Sequence, residues 1–304
     1  MHRVLITGIT GFLGSHIAKE LVDNGVEVIG LIRPSSDIWR CEEFKEKVHW
    51  VQTDGTESFN EALQSLSFDI IIHSGWIGVE SDERNSWTEQ TNNITFLANL
   101  LEAGKKANVK KMIFLGSQAE YGNVDGKISE EEETNADNAY GAVKLASLEI
   151  VKSFCNTNNI NWIWLRLFSV FGEKQGENWL VPSLINAMHE RNEMDMTLGE
   201  QKYAYLYIKD FRKIVSDVVL KSLNSGVYNV SSDNPQSIKS LVLQIKNKVN
   251  PNFKLNFGAI EYRQNQSMHI EGDMKKLFAQ IGKTTFTDHI EALENTINYY
   301  MKKS

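Results

Sequence analysis

The sequence predicts an α/β fold, a doubly wound parallel Rossmann sheet with a smaller C-terminal α/β substrate-binding domain. Three observations carry that expectation. Short β-branched runs alternate with helical segments through the first half, those runs are apolar almost throughout, and a glycine-rich turn joins the first strand to the first helix. Strands that are apolar on both faces belong to parallel sheets covered by helices on each side, and βαβα alternation winds such a sheet.

The strand pattern begins at Arg3–Thr7 and recurs at Val26–Ile32, Val48–Gln52, Asp69–His73, Met112–Leu115 and Trp162–Leu167. Leu13–Asn24 reads as a helix with Leu13, Ile17, Ala18, Leu21 and Val22 on one face, and Gly25 follows as its stop. Further apolar helices lie around Phe96–Ala107 and from Tyr140 through Phe154. The second half is less regular. Gly172–Asn178 reads as a loop, Leu180–Arg191 as a helix, and Met196–Leu198 and Ala204–Ile208 as short strands. A strand at Val227–Val230 precedes a turn at Asp233–Pro235, and helices at Met274–Ile281 and Asp288–Met301 end the chain. The resulting division gives residues 1–170 and 207–232 to a dinucleotide-binding domain, and residues 171–206 and 233–304 to the smaller one.

Composition bounds the function. Of 304 residues 41% are hydrophobic and 23% charged, a soluble globular balance with ample core material, and the net charge of −7 argues against a nucleic-acid surface. Two distant cysteines, Cys41 and Cys155, exclude a disulfide scaffold. No signal-peptide pattern opens the chain and no apolar run approaches the roughly 18 residues of a membrane span, so a cytoplasmic protein without a membrane partner is expected. The seven histidines show no metal-ligand spacing, and no metal is expected. The acidic run Glu130–Glu133 reads as a solvated loop.

The turn Thr7-Gly8-Ile9-Thr10-Gly11-Phe12-Leu13-Gly14 is the strongest local motif. Gly8 permits a tight turn, Gly11 lets backbone approach a pyrophosphate, and Gly14 allows close helix packing. The N–H groups and positive dipole end of the following helix then face the phosphates. Its strand–turn–helix setting lifts it above a chance glycine spacing. At the end of the second strand, where a ribose-binding carboxylate marks NAD, stand Arg33, Pro34, Ser35 and Ser36. An arginine forks onto a 2′-phosphate and serine hydroxyls add hydrogen bonds, which favours NADP(H), with NAD possible; the alternative is a solvated loop cation.

Tyr140 and Lys144, four apart on a helix, project into the same space. A tyrosine near its usual pKa of ~10 is a weak acid–base catalyst, and an adjacent ammonium stabilises its phenolate. Ser117 follows an apolar strand at the carboxyl end, where open α/β sheets bind ligands, and its hydroxyl can hold a substrate carbonyl.

These residues resemble the extended short-chain dehydrogenase/reductases, the NAD-dependent epimerase/dehydratase family, over essentially the whole chain. The glycine turn resembles that family's motif, and Ser117, Tyr140 and Lys144 its catalytic set. By the same resemblance Asp54, followed by Gly55, contacts the adenine, and Ile71–Trp76, with His73, Ser74 and Gly75, lines the nicotinamide ribose. Asn93 matches a structural position near the cofactor. Arg166–Gly176, Leu180-Val181-Pro182 and Arg263 are similar to segments that receive a nucleotide-diphosphate sugar, and the helices around Phe96–Ala107 and Tyr140–Phe154 to those of a homodimer's four-helix bundle, though ordinary domain packing explains them nearly as well.

Departures from the family narrow the reaction. The acid–base pair that dehydratases carry after the catalytic hydroxyl is replaced by Gln118 and Ala119; a C3/C5 epimerising Cys and His are replaced by Ala119 and Trp179. Tyr203 stands where relatives carry a diphosphate-binding arginine, with Lys202 beside it, and Ser169 where they carry an asparagine. Gln118, Ser169, Trp179, Val181, Lys202, Tyr203 and Arg263 are therefore the expected substrate contacts, with Trp179 able to stack on a base or sugar. Carbonyl reduction by NADPH at C4 of a nucleotide-linked 4-keto-6-deoxyhexose is the leading expectation. NAD-dependent C4 epimerisation is the alternative, and a non-catalytic cofactor-sensing regulator a distant third. Leu115–Gly122 and Glu261–Asp273 further resemble nucleotide-sugar 4-ketoreductases of the CDP-abequose/paratose synthase and dTDP-4-keto-6-deoxyhexose reductase kind.

Overall fold

The computed structural model describes residues 2–53, 63, 66–80, 82–263 and 266–302. Seven parallel strands form the main sheet: β1 (Arg3–Thr7), β2 (Glu27–Ile32), β3 (Val48–Gln52), β4 (Ile70–His73), β5 (Lys111–Ser117), β7 (Asn161–Leu167) and β12 (Gly226–Val230). Their spatial order is β12-β7-β5-β4-β1-β2-β3, so the chain reverses direction between β1 and β4. In open α/β sheets the ligand crevice opens at the carboxyl ends of the strands beside such a switch. Thr7 and His73, the last residues of the two strands, lie in register there.

The apolar character of the strands has its expected cause. Val4 and Ile6 enter one core, with Ile17 and Leu21 of helix α1 (Phe12–Asp23) and Ile214 and Val218 of helix α5 (Ile208–Leu220). Leu5 enters the opposite core, with Leu100 of helix α2 (Trp87–Lys106) and Val151 of helix α3 (Ala139–Thr157). Alternate residues of one strand thus feed two helical layers, as a period of two requires. Helix α2 packs on α3, and α1 on α5. No helix among the described residues is long and apolar enough to cross a membrane.

The second half departs from expectation in detail. The strand expected at Met196–Leu198 is β9, Glu193–Met196, paired with β14, Lys254–Phe257. It stops early because Thr197 Oγ1 accepts the Gly199 N–H at 3.3 Å and Gly199 turns at φ +70°. Of the expected strand Ala204–Ile208 only Leu206–Tyr207 is extended, as β11, which joins β8 (Val170–Phe171); β10 (Lys202–Tyr203) precedes it, and Ile208 already begins α5. Helix α4 spans Leu180–Glu190. An unexpected helix α6 covers Ile238–Val249, capped where Ser237 Oγ accepts the Ser240 N–H. Helices α7 (Lys275–Ile281) and α8 (His289–Met301) close the chain. A four-stranded sheet, β13-β10-β15-β6, joins β13 (Gln236–Ser237) and β15 (His269–Gly272) to β6, Gly126–Ile128, which comes from the first half. Glu130 is also not merely solvated: it accepts the Asn229 N–H at 2.7 Å, while residues 131–133 are exposed.

Candidate active site

The glycine turn lies at the switch point and its shape needs its glycines. Gly8 turns at φ +67°, and a β carbon there would lie 2.5 Å from the Gly75 Cα, so the turn and the segment after β4 pass almost in contact. A β carbon on Gly14 would lie 2.2 Å from the Gly8 carbonyl oxygen. At Gly11 the added carbon would approach only that same oxygen, at 3.2 Å, so this glycine leaves room rather than relieving packing. Gly11 precedes helix α1 and no side chain caps it, which leaves the first-turn N–H groups of Phe12, Leu13 and Gly14 to an anionic ligand. The residues present therefore fit a dinucleotide's diphosphate. Thr10 is tied down through its carbonyl, which accepts a bond from Arg40 Nη1 at 3.4 Å.

Ser117 ends β5 at the same edge. Its Oγ accepts the Ala119 N–H at 3.2 Å, and its own N–H donates to Glu120 Oε1 at 2.7 Å, a reciprocal capping box. Glu120 is fully buried and also takes bonds from Trp164 Nε1 at 2.9 Å and Arg166 Nε at 2.7 Å. Helix α3 begins one residue before Tyr140, where the Asn138 side chain accepts the Gly141 N–H at 2.8 Å. Tyr140 and Lys144 lie on its buried face, 8% and 4% exposed. The Ser117 hydroxyl lies near enough to the Tyr140 phenol to favour its ionised form, and Lys144 Nζ donates to the Leu115 carbonyl at 2.7 Å. The three residues expected to act together are brought together.

Burial pushes the Tyr140 phenol above its ordinary range, while the Arg84 cation and the nearby Ser117 hydroxyl pull it back. Burial likewise drives Lys144 down to about 7, against the attraction of Glu120. Above this group stands Trp76, whose ring centroid lies 3.4 Å from Lys144 Nζ and which meets Tyr140 edge-on at 6.2 Å. Trp76 Nε1 donates to Gln90 Oε1 at 2.9 Å, and Gln90, fully buried, donates to the Gly78 carbonyl at 2.6 Å. Arg84 places its guanidinium carbon 5.0 Å from the Tyr140 ring and 5.9 Å from that of Trp179. Arg84, Gln90 and Glu120 have no role among the residues expected from the sequence, and Trp76 enters there only as the end of the segment Ile71–Trp76.

Other expected residues fall into distinct settings. His73 is buried, its Nδ1 2.7 Å from Thr7 Oγ1 and its Nε2 unpartnered, and burial lowers it to about 3. The Ser74 and Gly75 N–H groups bond to Thr7, to its carbonyl at 3.2 Å and its hydroxyl at 3.3 Å. Asn93 braces the chain after β4, accepting the Ile77 N–H at 2.9 Å and donating to the Ile77 carbonyl at 3.1 Å. Arg33 and Ser35 are exposed at the end of β2, and Ser36 Oγ accepts the Arg33 N–H at 3.0 Å. Asp54 and Gly55 lie outside the described residues.

Among the expected substrate contacts, Gln118 keeps a buried Oε1 without a partner, and Trp179 is half-exposed at the start of α4. The Val181 side chain belongs to the hydrophobic core. Ser169 accepts the Leu206 N–H through its carbonyl at 2.8 Å. Lys202 and Arg263 are exposed, and Tyr203, held by Gln266 and by the Ser267 carbonyl at 3.2 Å, feels the Arg263 charge.

Comparison with known proteins agrees with this architecture. The chain is 25% identical over 273 residues to CDP-abequose synthase of Salmonella muenchen, covering 88% of this chain and 87% of that protein. It is 24% identical over 277 residues to dTDP-6-deoxy-L-talose 4-dehydrogenase (NAD(+)) of Aggregatibacter actinomycetemcomitans, covering 89% and 99%. Among solved structures, the UDP-N-acetylglucosamine 4-epimerase of Methanobrevibacter ruminantium in complex with UDP-N-acetylmuramic acid aligns at a TM-score of 0.89 and 24% identity, over 100% of this chain and 99% of that one. The UDP-glucuronic acid 4-epimerase of Bacillus cereus in complex with UDP-glucuronic acid and NAD aligns at 0.86 and 23%, over 99% and 100%. At these identities the structural likeness speaks for the fold. The model of the NAD dependent epimerase/dehydratase family matches residues 4–231, most of the length and all of the seven-stranded sheet but Arg3. The chain belongs to the NAD-dependent epimerase/dehydratase family of extended short-chain dehydrogenase/reductases.

Proposed function

We propose that this chain is an NADPH-dependent reductase that acts at C4 of a nucleotide-linked 4-keto-6-deoxyhexose. The observation that carries the reading is the half-buried Ser117 beside the buried Tyr140, with Gln118, Ala119 and Trp179 as neighbours. None of those three neighbours is a general acid or base for water elimination or for epimerisation at C3 or C5, so the chemistry left to the site is proton exchange with one oxygen.

A reduced dinucleotide, its diphosphate held at the glycine turn, would supply the hydride for the ketone carbon. Ser117 Oγ donates to the carbonyl oxygen and polarises it. Tyr140 gives its phenolic proton to the oxygen as negative charge develops there, which completes the alcohol and leaves a phenolate. Lys144 holds that phenolate's charge and the nicotinamide ribose. Trp76 and Trp179 keep water from this group, and Lys202, Tyr203 and Arg263 hold the nucleotide diphosphate. Arg33, Ser35 and Ser36 receive the 2′-phosphate, with no carboxylate among positions 33–36 to repel it; Asp37, the next residue, uses its Oδ1 to accept the Trp39 N–H at 2.9 Å. Residues 1–170 with 207–232 act as the cofactor half and the remainder as the substrate half, in a homodimer formed through α2 and α3.

A second reading, NAD-dependent C4 epimerisation through a transient ketone, is supported by the 4-epimerase structures of like fold, one of them bound to NAD. Identifying the nucleotide released when the purified protein is denatured separates the two. A reductase releases little or only exchangeable NADP(H). A stoichiometric charge of NAD, carried through purification, supports the epimerase and overturns the reductase.

A further inference from the structure

Arg84 addresses Tyr140 twice. Its carbonyl accepts the Tyr140 N–H at 2.9 Å, and its guanidinium carbon lies 5.0 Å from the centre of the phenol ring. The side chain is anchored behind its charge, because Nε donates to the Val79 carbonyl at 3.0 Å, within a turn closed by the Arg84 N–H on the Glu80 carbonyl. The terminal nitrogens are thereby left to the space between Tyr140 and Trp179. Lys144 lies farther from the same ring, at 5.7 Å, and its short contacts are the Leu115 carbonyl and the Trp76 face.

We propose that Arg84 is a positioning residue for Tyr140, a second cation beside Lys144 that steadies the phenol and the negative charge it acquires on giving up its proton. The charged groups facing Tyr140 are Arg84 from the segment before α2, Lys144 from α3 itself, and Glu120 from the turn after β5. Burial and Glu120 oppose ionisation, and Arg84 is the largest influence in its favour. A guanidinium is suited to the task because it stacks on aromatic faces and keeps its charge throughout the working pH range. Burial works against the Lys144 cation, so the charge that Arg84 brings to the other side of the ring adds to what Lys144 supplies. This assignment rests on the reading of Tyr140 as the proton donor.

The test is an NMR titration of tyrosine ring carbons in the substrate-free protein, with the Tyr140 signal identified by its loss in Tyr140→Phe. Arg84→Gln removes the charge while its amide retains a donor for Val79, and Arg84→Lys keeps the charge. The expected result is a rise in the Tyr140 titration of about one pH unit in Arg84→Gln, mostly restored in Arg84→Lys. Arg84→Gln titrating with the wild type overturns the proposal, and so does an equal rise in both variants, which would show a structural rather than a charge effect. The titration needs no turnover, so a protein that reduces no keto-sugar yet shows the rescued shift defeats the reductase reading and leaves the Arg84 assignment standing.

Discussion

Glu120 lies directly beneath Ser117: its carboxylate accepts the Ser117 N–H at 2.7 Å while Ser117 Oγ accepts the Ala119 N–H at 3.2 Å. The same carboxylate neutralises Arg166, 5% exposed, at 2.7 Å. One buried group thus fixes the Ser117 backbone and balances a buried cation. Glu120→Gln keeps an acceptor for Ser117 but leaves Arg166 unpaired in the interior, a loss expected to cost about 3 kcal/mol of stability. Denaturant unfolding of the variant checks this, and a midpoint equal to the wild type's contradicts it.

The exposed position of Arg33 makes it replaceable without damage to the core. Arg33→Asp sets a carboxylate where an NAD ribose hydroxyl would bind and a 2′-phosphate would be repelled. The ratio of kcat/KM for NADPH to that for NADH should fall by about tenfold or more. An unchanged ratio moves 2′-phosphate recognition elsewhere.

Two buried histidines set an acid limit. His16, bonded to the Glu173 carbonyl at 2.9 Å, is lowered by burial to about 4, and His73 to about 3, from an ordinary 6.5. Because both folded values lie below the unfolded one, the unfolded chain takes up protons first. Stability is complete above pH 6.5 and is lost as the pH falls toward 4 for His16 and 3 for His73. Each histidine should contribute a slope of about 1.4 kcal/mol per pH unit in that window. Unfolding free energies of wild type and His73→Asn at pH 7 and pH 5 check this: the variant, whatever its absolute stability, should lose markedly less on acidification.

The parts of the site legible in the sequence are those written in local spacing. The glycine turn and the Tyr140/Lys144 pair each need only a few consecutive residues, and Ser117 is marked by the strand it ends. The Ser117-x-x-Glu120 spacing is itself a capping-box signal and could have disclosed Glu120. Helix α6 carries Ile238, Leu241, Val242 and Ile245 at helical spacing, so it too is written in the local pattern. Arg84 and Trp76 are different. They reach Tyr140 and Lys144 only because the segment after β4 folds back over the start of α3, a contact that no periodicity encodes. Strand β6 pairs with β15 across more than a hundred residues, Ile270 with Gly126, in a run too short to show alternation.

The most direct test mixes the purified protein with NADPH and a panel of freshly prepared dTDP-, CDP- and GDP-4-keto-6-deoxyhexoses, and follows the nicotinamide absorbance. The expected result is stoichiometric NADPH loss with one nucleotide, slowed by about 10²–10⁴-fold in Tyr140→Phe. No loss with any member of the panel, or full turnover in Tyr140→Phe, contradicts the account.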